Sequence, residues 1–260
     1  MRDVVAYARD VITSADRVLV LTGAGISAES GVPTFRGPEG LWKSFRPEEL
    51  ATPSAFTRDP RLVWEWYDWR RCRVRSCRPN AAHIALANLA LRRGSARARI
   101  VTQNVDGLHA VAAREIAARL AGAAPAHAAL PLELHGSLFR VRCTSCGERQ
   151  EHDAPVDVSS SDSLPRCARC SALLRPDIVW FGEPLDDAVL AEALERARTA
   201  DVCLVVGTSA VVQPAASLAM VTKRAGGELI EVNPETTPLT PFADVSVRGT
   251  AADVVPRLVV

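Results

Sequence analysis

At 260 residues the chain is long enough for one large hydrophobic core with a small module beside it. Its hydrophobic share of 48% and charged share of 23% are those of an ordinary soluble globular protein, and a net charge of +1 excludes a global electrostatic pull toward nucleic acid or membrane. Nearly every cation is arginine, Lys43 and Lys223 being the only lysines, which reads as coding bias rather than function.

Met1-Arg2-Asp3-Val4-Val5 has no continuous apolar region behind it, so it does not read as a signal peptide. The apolar stretches are of strand length, far short of the roughly 20 residues of a membrane span. Four of the seven cysteines fall in two Cys-x-x-Cys pairs, and the other three make no even disulfide framework. A monomer in a reducing cytoplasm, with bound metal, is expected.

Residues 4–15 have helical spacing and lead into residues 17–22, a short β-branched run apolar on both faces, as a buried parallel strand requires. Similar runs recur at residues 98–102, 202–206 and 229–232, and helix-like stretches at 80–93, 186–198, 214–225 and 251–258. The alternation predicts an α/β fold: a Rossmann-like, doubly wound parallel sheet. Two stretches break the pattern and read as insertions forming a smaller domain. One, 37–78, is helical and holds four of the five tryptophans; the other, 139–174, holds the paired cysteines. The Rossmann-like domain is then 1–36, 79–138 and 175–260. An Ala-rich stretch at 110–129 predicts a helix and a surface loop, with no chemistry attached.

The first strand runs into Gly23-Ala24-Gly25-Ile26-Ser27-Ala28, a G-x-G-x-x-A loop ahead of a predicted helix. Glycines there let backbone N–H groups approach a pyrophosphate, and a helix N-terminus favours its charge. The alternative is a tight βα turn without a ligand. A dehydrogenase-type unit also needs an acidic residue about 20 positions on. Leu41-Trp42-Lys43-Ser44-Phe45-Arg46 supplies none, which argues against hydride transfer.

Cys143-Thr144-Ser145-Cys146 and Cys167-Ala168-Arg169-Cys170 are spaced to converge on one tetrahedral four-thiolate zinc, the alternative being unligated core cysteines or a redox pair. Four thiolates leave no position for water, so this zinc is structural. The carboxyl ends of two further strand-like runs carry Gln103-Asn104-Val105-Asp106-Gly107-Leu108-His109 and His135-Gly136-Ser137. A histidine at such an end is a candidate general base; His135 leads on position, and His109 is its rival.

Taken together these segments resemble the sirtuin family. The resemblance is carried by Gly23-Ala24-Gly25-Ile26-Ser27, Ser30-Gly31-Val32-Pro33-Thr34-Phe35-Arg36, Gln103-Asn104-Val105-Asp106, His135-Gly136-Ser137, the cysteine pairs, Gly207-Thr208-Ser209 and Val232-Asn233-Pro234. It implies an NAD-dependent protein-lysine deacylase. The acyl-lysine oxygen attacks C1′ of the nicotinamide ribose, nicotinamide leaves, and a histidine matching His135 takes a proton from the ribose. The products are nicotinamide, O-acyl-ADP-ribose and free lysine.

The same resemblance implies that NAD is held by Gly23, Ala24, Gly25, Ser27, Ala28, Glu29, Thr34, Phe35, Arg36, Trp42 and Gln103, with Gly207, Thr208 and Ser209 on phosphate and ribose. Asn104, also assigned a catalytic role, lines the nicotinamide pocket with Asp106; Asn233, Glu235 and Ala251 lie near the adenosine. The acyl-lysine peptide or protein is expected to add as a strand between Val179-Trp180-Phe181-Gly182-Glu183 and residues 211–214, with Val179, Phe181, Gly182 and Glu183 in contact. Neither nucleic acid nor membrane is an expected partner.

Tyr67 and Arg70, at i and i+3 of a predicted helix, converge on one ligand and offer a hydroxyl and a planar fork to a carboxylate. The pair resembles that of class III sirtuins, which remove succinyl, malonyl and glutaryl groups; Ala51 matches a small residue that makes room for the chain. The competing reading of Arg70 is a solvated basic face shared with Arg71, Arg73, Arg75 and Arg78. Two other functions compete as well: mono-ADP-ribosyl transfer from the same NAD site, and a non-catalytic NAD or acyl-lysine binding module.

Overall fold

The computed structural model describes residues 3–33, 45–119 and 126–259. Of the expected site residues, Thr34, Phe35, Arg36 and Trp42 lie outside them.

The described strands, in chain order, are β1 (Val18–Thr22), β2 (Ala98–Thr102), β3 (Leu132–Glu133), β4 (Gly136–Cys143), β5 (Arg149–Glu151), β6 (Leu174–Ile178), β7 (Val202–Val206), β8 (Glu228–Val232) and β9 (Val245–Val247). The helices are α1 (Val4–Ser14), α2 (Pro47–Leu50), α3 (Pro53–Arg58), α4 (Pro60–Arg75), α5 (Ala81–Arg93), α6 (Leu108–Arg119), α7 (Asp187–Thr199), α8 (Ser217–Arg224) and α9 (Ala251–Leu258).

Six strands form one parallel sheet in the order β3-β2-β1-β7-β8-β9. The period-two side-chain pattern decides how it is covered. Val18 and Val20 of β1 enter a core with α1, α5, α6 and α9, while Leu19 and Leu21 enter the opposite core with α7 and α8. Burial on both faces explains why these strands read as unbroken apolar runs. The chain leaves β1 in one direction and returns to its other side at β7, so the switch in strand order falls between β1 and β7. In such sheets the crevice beyond the carboxyl ends at that switch is where ligands bind.

The second sheet is small and antiparallel, ordered β5-β4-β6. It runs from Gly136 to Ile178, past both ends of the 139–174 stretch. Trp64, Trp66 and Tyr67 of α4 share one core with Leu138 and Val141 of β4 and with Val156 and Leu164, so the helical and cysteine-bearing stretches pack as one module. Arg71 pins α4 to it, donating to the carbonyl oxygens of His152 and of Ala154, the latter at 3.0 Å.

Two expectations change in detail, and the helix expected in the Ala-rich stretch is present. The turn after β1 is a 3-10 helix, Ala24–Ser30, rather than an α-helix. The helix expected over 214–225 starts at Ser217. The Ala-rich stretch is α6 as far as Arg119, and Asp106 starts it by accepting from the Leu108 N–H at 2.9 Å. Among the described residues no helix is long and apolar enough to cross a membrane.

Candidate active site

The loops that follow β1, β2, β3, β7 and β8 all leave from the carboxyl edge of the large sheet, and they carry most of the expected residues. At the switch point the glycines act first on each other. Gly25 N–H donates to the Gly207 carbonyl at 2.7 Å, and Gly23 N–H to the Val206 carbonyl at 3.1 Å. A Cβ on Gly25 would stand 2.7 Å from the Gly207 oxygen, and one on Gly207 would stand 2.4 Å from the Ile26 nitrogen. Close approach of two backbone loops is thus a direct reason for both glycines.

Behind this seam Ser27, fully buried, joins three polar side chains. It donates to Asp106 Oδ2 at 2.7 Å, accepts from Asn104 Nδ2 at 3.1 Å, and meets His83 Nε2 at 3.3 Å. Burial raises the Asp106 carboxyl above its ordinary range, opposed by its hydrogen bonds to Leu108 and Ser27 and by the Arg70 charge. Burial also pushes His83 down to about 4, so it is neutral at physiological pH. His83 was passed over in the sequence because nothing in the pattern of α5 distinguishes a core histidine from one beside a ligand.

Gln103 bridges β2 to the β7 loop, donating from Nε2 to Thr208 Oγ1 at 3.0 Å, and Asn233 donates to the Thr208 carbonyl at 2.9 Å. Asn233 Oδ1 in turn accepts from Glu235 N–H at 3.1 Å, and Ser209 follows on the same loop. Glu29 reaches the start of α9, accepting from the Ala252 N–H at 2.9 Å beside buried Ala251. Ala24 and Ala28 lie on the exposed side of the 3-10 turn.

The two candidate histidines separate clearly. His109 is buried, its Nε2 lies 3.0 Å from Thr22 Oγ1, and burial holds it well below its ordinary value. His135 is only partly buried, and its Nδ1–H donates to the Gln103 carbonyl at 2.9 Å. That bond selects the tautomer whose Nε2 carries a lone pair. Burial lowers its pKa below the usual 6.5, so the ring is an acceptor at neutral pH.

Four sulfurs, those of Cys143, Cys146, Cys167 and Cys170, lie within 4.8 Å of one another. A tetrahedral zinc with Zn–S bonds of about 2.3 Å sets sulfurs about 3.8 Å apart, so the cluster fits that ion. Cys143 and Cys170 are 3.4 Å apart and Cys146 and Cys167 3.7 Å, and the Ser145 and Cys146 N–H groups point at the Cys143 sulfur.

Beside the module, Tyr67 is fully buried and Arg70 nearly so. The Arg70 guanidinium lies 5.6 Å from the Tyr67 ring centroid and 4.8 Å from that of Trp66, and burial lowers its pKa to about 10. The solvated-face reading therefore fails for Arg70 and Arg71, both inside the module. Ala51, also buried, accepts from Phe181 N–H at 2.9 Å, which joins the expected acyl-pocket segment to the expected peptide segment.

On the peptide segment Val179 N–H donates to the His135 carbonyl at 3.0 Å, Gly182 takes a positive φ of 86°, and the Phe181 side chain is exposed. Val211 and Val212 are exposed as well. The Glu183 carboxylate is taken up by Arg175 and by the Trp180 N–H, so its side chain braces the turn. Trp180, which the sequence analysis did not single out, donates from its indole to the Tyr67 hydroxyl at 2.8 Å. An aromatic inside a quoted segment was the available signal; its direction was not readable.

Fold and site together define a Rossmann-like α/β protein carrying a four-cysteine module at the edge of its ligand crevice. The model of the Sir2 family matches residues 23–214. An NAD-dependent protein deacylase 2 of Pyrobaculum aerophilum is 49% identical over 250 residues, covering 96% of this chain and 92% of the relative. An NAD-dependent protein deacylase 1 of Archaeoglobus fulgidus is 49% identical over 249 residues, covering 95% and 94%. Among solved structures, a Sir2 homolog–NAD complex superposes with a TM-score of 0.85 at 46% identity, covering all of this chain and 93% of the other. A Sir2–p53 peptide–NAD+ complex superposes at 0.79 with 30% identity, covering 96% and 94%. The chain belongs to the Sir2 family, the sirtuins.

Proposed function

We propose that the chain is an NAD-dependent protein-lysine deacylase that acts on succinyl, malonyl and glutaryl groups and on acetyl. One observation carries the catalytic part: His135, with Nδ1 tied to the Gln103 carbonyl, opens its Nε2 lone pair at the sheet edge that also holds the Ser27-Asn104-Asp106 cluster. NAD, when bound, supplies a ribose C1′ that becomes electrophilic as nicotinamide leaves. Gly23, Ala24, Gly25, Ser27, Ala28, Glu29, Gly207, Thr208 and Ser209 line its crevice, with Thr34, Phe35, Arg36 and Trp42 in the stretch that follows. Asn104 and Asp106 orient the carboxamide, with the Asp106 carboxylate itself fixed by Ser27 and by Leu108 N–H. His135 takes the ribose hydroxyl proton at Nε2, a step worth about 10²- to 10⁴-fold. Asn233, Glu235 and Ala251 serve the adenosine end.

The substrate peptide adds as a strand between residues 179–183 and 211–214. Support comes from Phe181, Val211 and Val212, three large apolar side chains left in solvent on those two segments. The acidic-acyl part rests on Arg70 and Tyr67, a buried guanidinium beside a buried phenol with Ala51 near them. Neither charge nor hydroxyl serves a straight acetyl group, whereas both complement a distal carboxylate. The four cysteines hold a structural zinc, in keeping with a reducing, cytoplasmic setting where thiols stay available to metal. In this reading residues 37–78 and 139–174 form the module that shapes the acyl and peptide sites, and 1–36, 79–138 and 175–260 form the NAD-binding body.

The test incubates the protein with NAD and peptides of one sequence bearing acetyl, malonyl, succinyl or glutaryl lysine, with products identified by mass. Nicotinamide, free lysine and O-acyl-ADP-ribose are expected, with the acidic groups removed faster than acetyl. ADP-ribose attached to protein, or NAD left intact, would overturn the deacylase reading.

A further inference from the structure

The indole N–H of Trp180 can only donate, so at 2.8 Å the Tyr67 oxygen must accept from it. A phenol O–H lies in its ring plane in one of two orientations. A donor arriving on one side of the oxygen leaves the hydrogen on the other. Among the described residues the indole is the only hydrogen-bonding partner of that oxygen, so the Tyr67 hydrogen has no acceptor among them. Burial pushes the Tyr67 pKa up to about 12, which keeps the phenol a neutral donor at every working pH.

Trp180 is itself tightly held. It is 2% exposed, the Arg175 guanidinium lies 3.2 Å over its ring, and the Phe56 ring packs at 5.4 Å. Arg175 is locked by both oxygens of Glu183, and Glu183 also accepts from the Trp180 backbone N–H at 2.9 Å. A continuous chain of contacts therefore starts in the turn expected to bind peptide and ends at the hydroxyl beside Arg70.

We infer that Trp180 is a specificity-determining positioning residue, whose indole N–H aims the Tyr67 hydroxyl hydrogen at the distal carboxylate of an acidic acyl-lysine. The inference rests on the acidic-acyl reading above. It requires no contact between Trp180 and the substrate carboxylate, and it gives the braced Glu183 a role in acyl choice.

Steady-state kinetics of Trp180→Phe, Tyr67→Phe and the double variant, on succinyl- and acetyl-lysine peptides of one sequence, test it. Trp180→Phe keeps an aromatic ring and removes the N–H. Whatever loss the two peptides share, the succinyl-to-acetyl ratio of kcat/KM should fall about five-fold, the size of one neutral hydrogen bond, through the succinyl KM. In the Tyr67→Phe background the same change should add nothing, because its effect passes through the hydroxyl. Should Trp180→Phe fold poorly, replacing Trp180 by benzothienylalanine, which keeps the indole shape without the N–H, gives the same readout. Equal losses on both peptides, or losses that multiply in the double variant, would overturn the inference while leaving the acidic-acyl reading intact. A wild-type protein that cleaves acetyl-lysine and spares succinyl-lysine would overturn both.

Discussion

The Nδ1 atom of His135 lies 2.9 Å from the carbonyl oxygen of Gln103, and this bond fixes which face of the ring is basic. Desolvation lowers the His135 pKa below 6.5, partly offset by the same bond. With His135 as the proposed base the reacting form is the neutral ring, so kcat/KM should fall as pH drops through the His135 pKa. The depressed pKa puts that fall at more acidic pH than an ordinary histidine would give, and the profile should be flat from there through neutrality. His135→Ala should lose about 10²-fold or more in kcat and flatten the acidic limb. An acidic limb that survives in His135→Ala would assign the base elsewhere.

Arg70 sits between Tyr67 and the field of Asp106, inside a module core rather than on a solvated helix face. A charge-assisted hydrogen bond to a substrate carboxylate contributes about 1.5–3 kcal/mol, which is roughly ten- to a hundredfold in rate. Arg70→Met keeps the length and apolar contacts of the stem, so desuccinylation should drop by about that factor while deacetylation changes little. Peptide kinetics on the two substrates measure the ratio. Parallel losses would mean that the arginine only supports the fold.

The sequence made the large sheet legible because its strands are buried on both faces, as Val18–Thr22 and Val202–Val206 are at every position. It was silent on β5, whose Arg149, Gln150 and Glu151 are all exposed at a sheet edge, and on the three-residue β9. In both, hydrogen bonding to a neighbour decides the conformation more than side-chain pattern does. The site was legible where a residue type carries its chemistry at a fixed spacing, as with the paired cysteines, whose sulfurs the fold brings together. It was illegible where direction matters: Glu183 turns inward to Arg175, Gly25 N–H is taken by Gly207, and Trp180 points at Tyr67.

The seam between Gly25 and Gly207 predicts a defect with two faces. Gly207 has φ of 59°, and a methyl there would press on the Ile26 nitrogen at 2.4 Å. Gly207→Ala must therefore part the β1 and β7 loops, at a cost of about 1–3 kcal/mol. Thermal unfolding should fall accordingly, and the KM for NAD should rise, since the crevice opens between those loops. Cleavage of acyl-lysine at saturating NAD should recover much of its rate. An unchanged NAD KM would detach the seam from the nucleotide site.

The zinc prediction follows from where the four sulfurs sit. Cys143 and Cys167 belong to the core that also buries Trp64, Trp66 and Trp180. Cys143 ends β4, whose other end, Gly136, pairs with Ile178 one residue beyond His135. Stripping zinc with a strong chelator releases thiolates that repel one another at under 5 Å, and the three-stranded sheet loses its clip. The expected outcome is a partial unfolding: tryptophan emission shifts to the red as the module opens, while far-ultraviolet dichroism from the parallel sheet is largely kept. Deacylation should vanish with the module, because His135 and Val179 are joined through its strands by the Val179 N–H to His135 carbonyl bond. NAD binding, held mainly by the large sheet, should weaken less than activity does. Full activity in protein shown by metal analysis to be free of zinc would remove the structural role assigned to the cysteines.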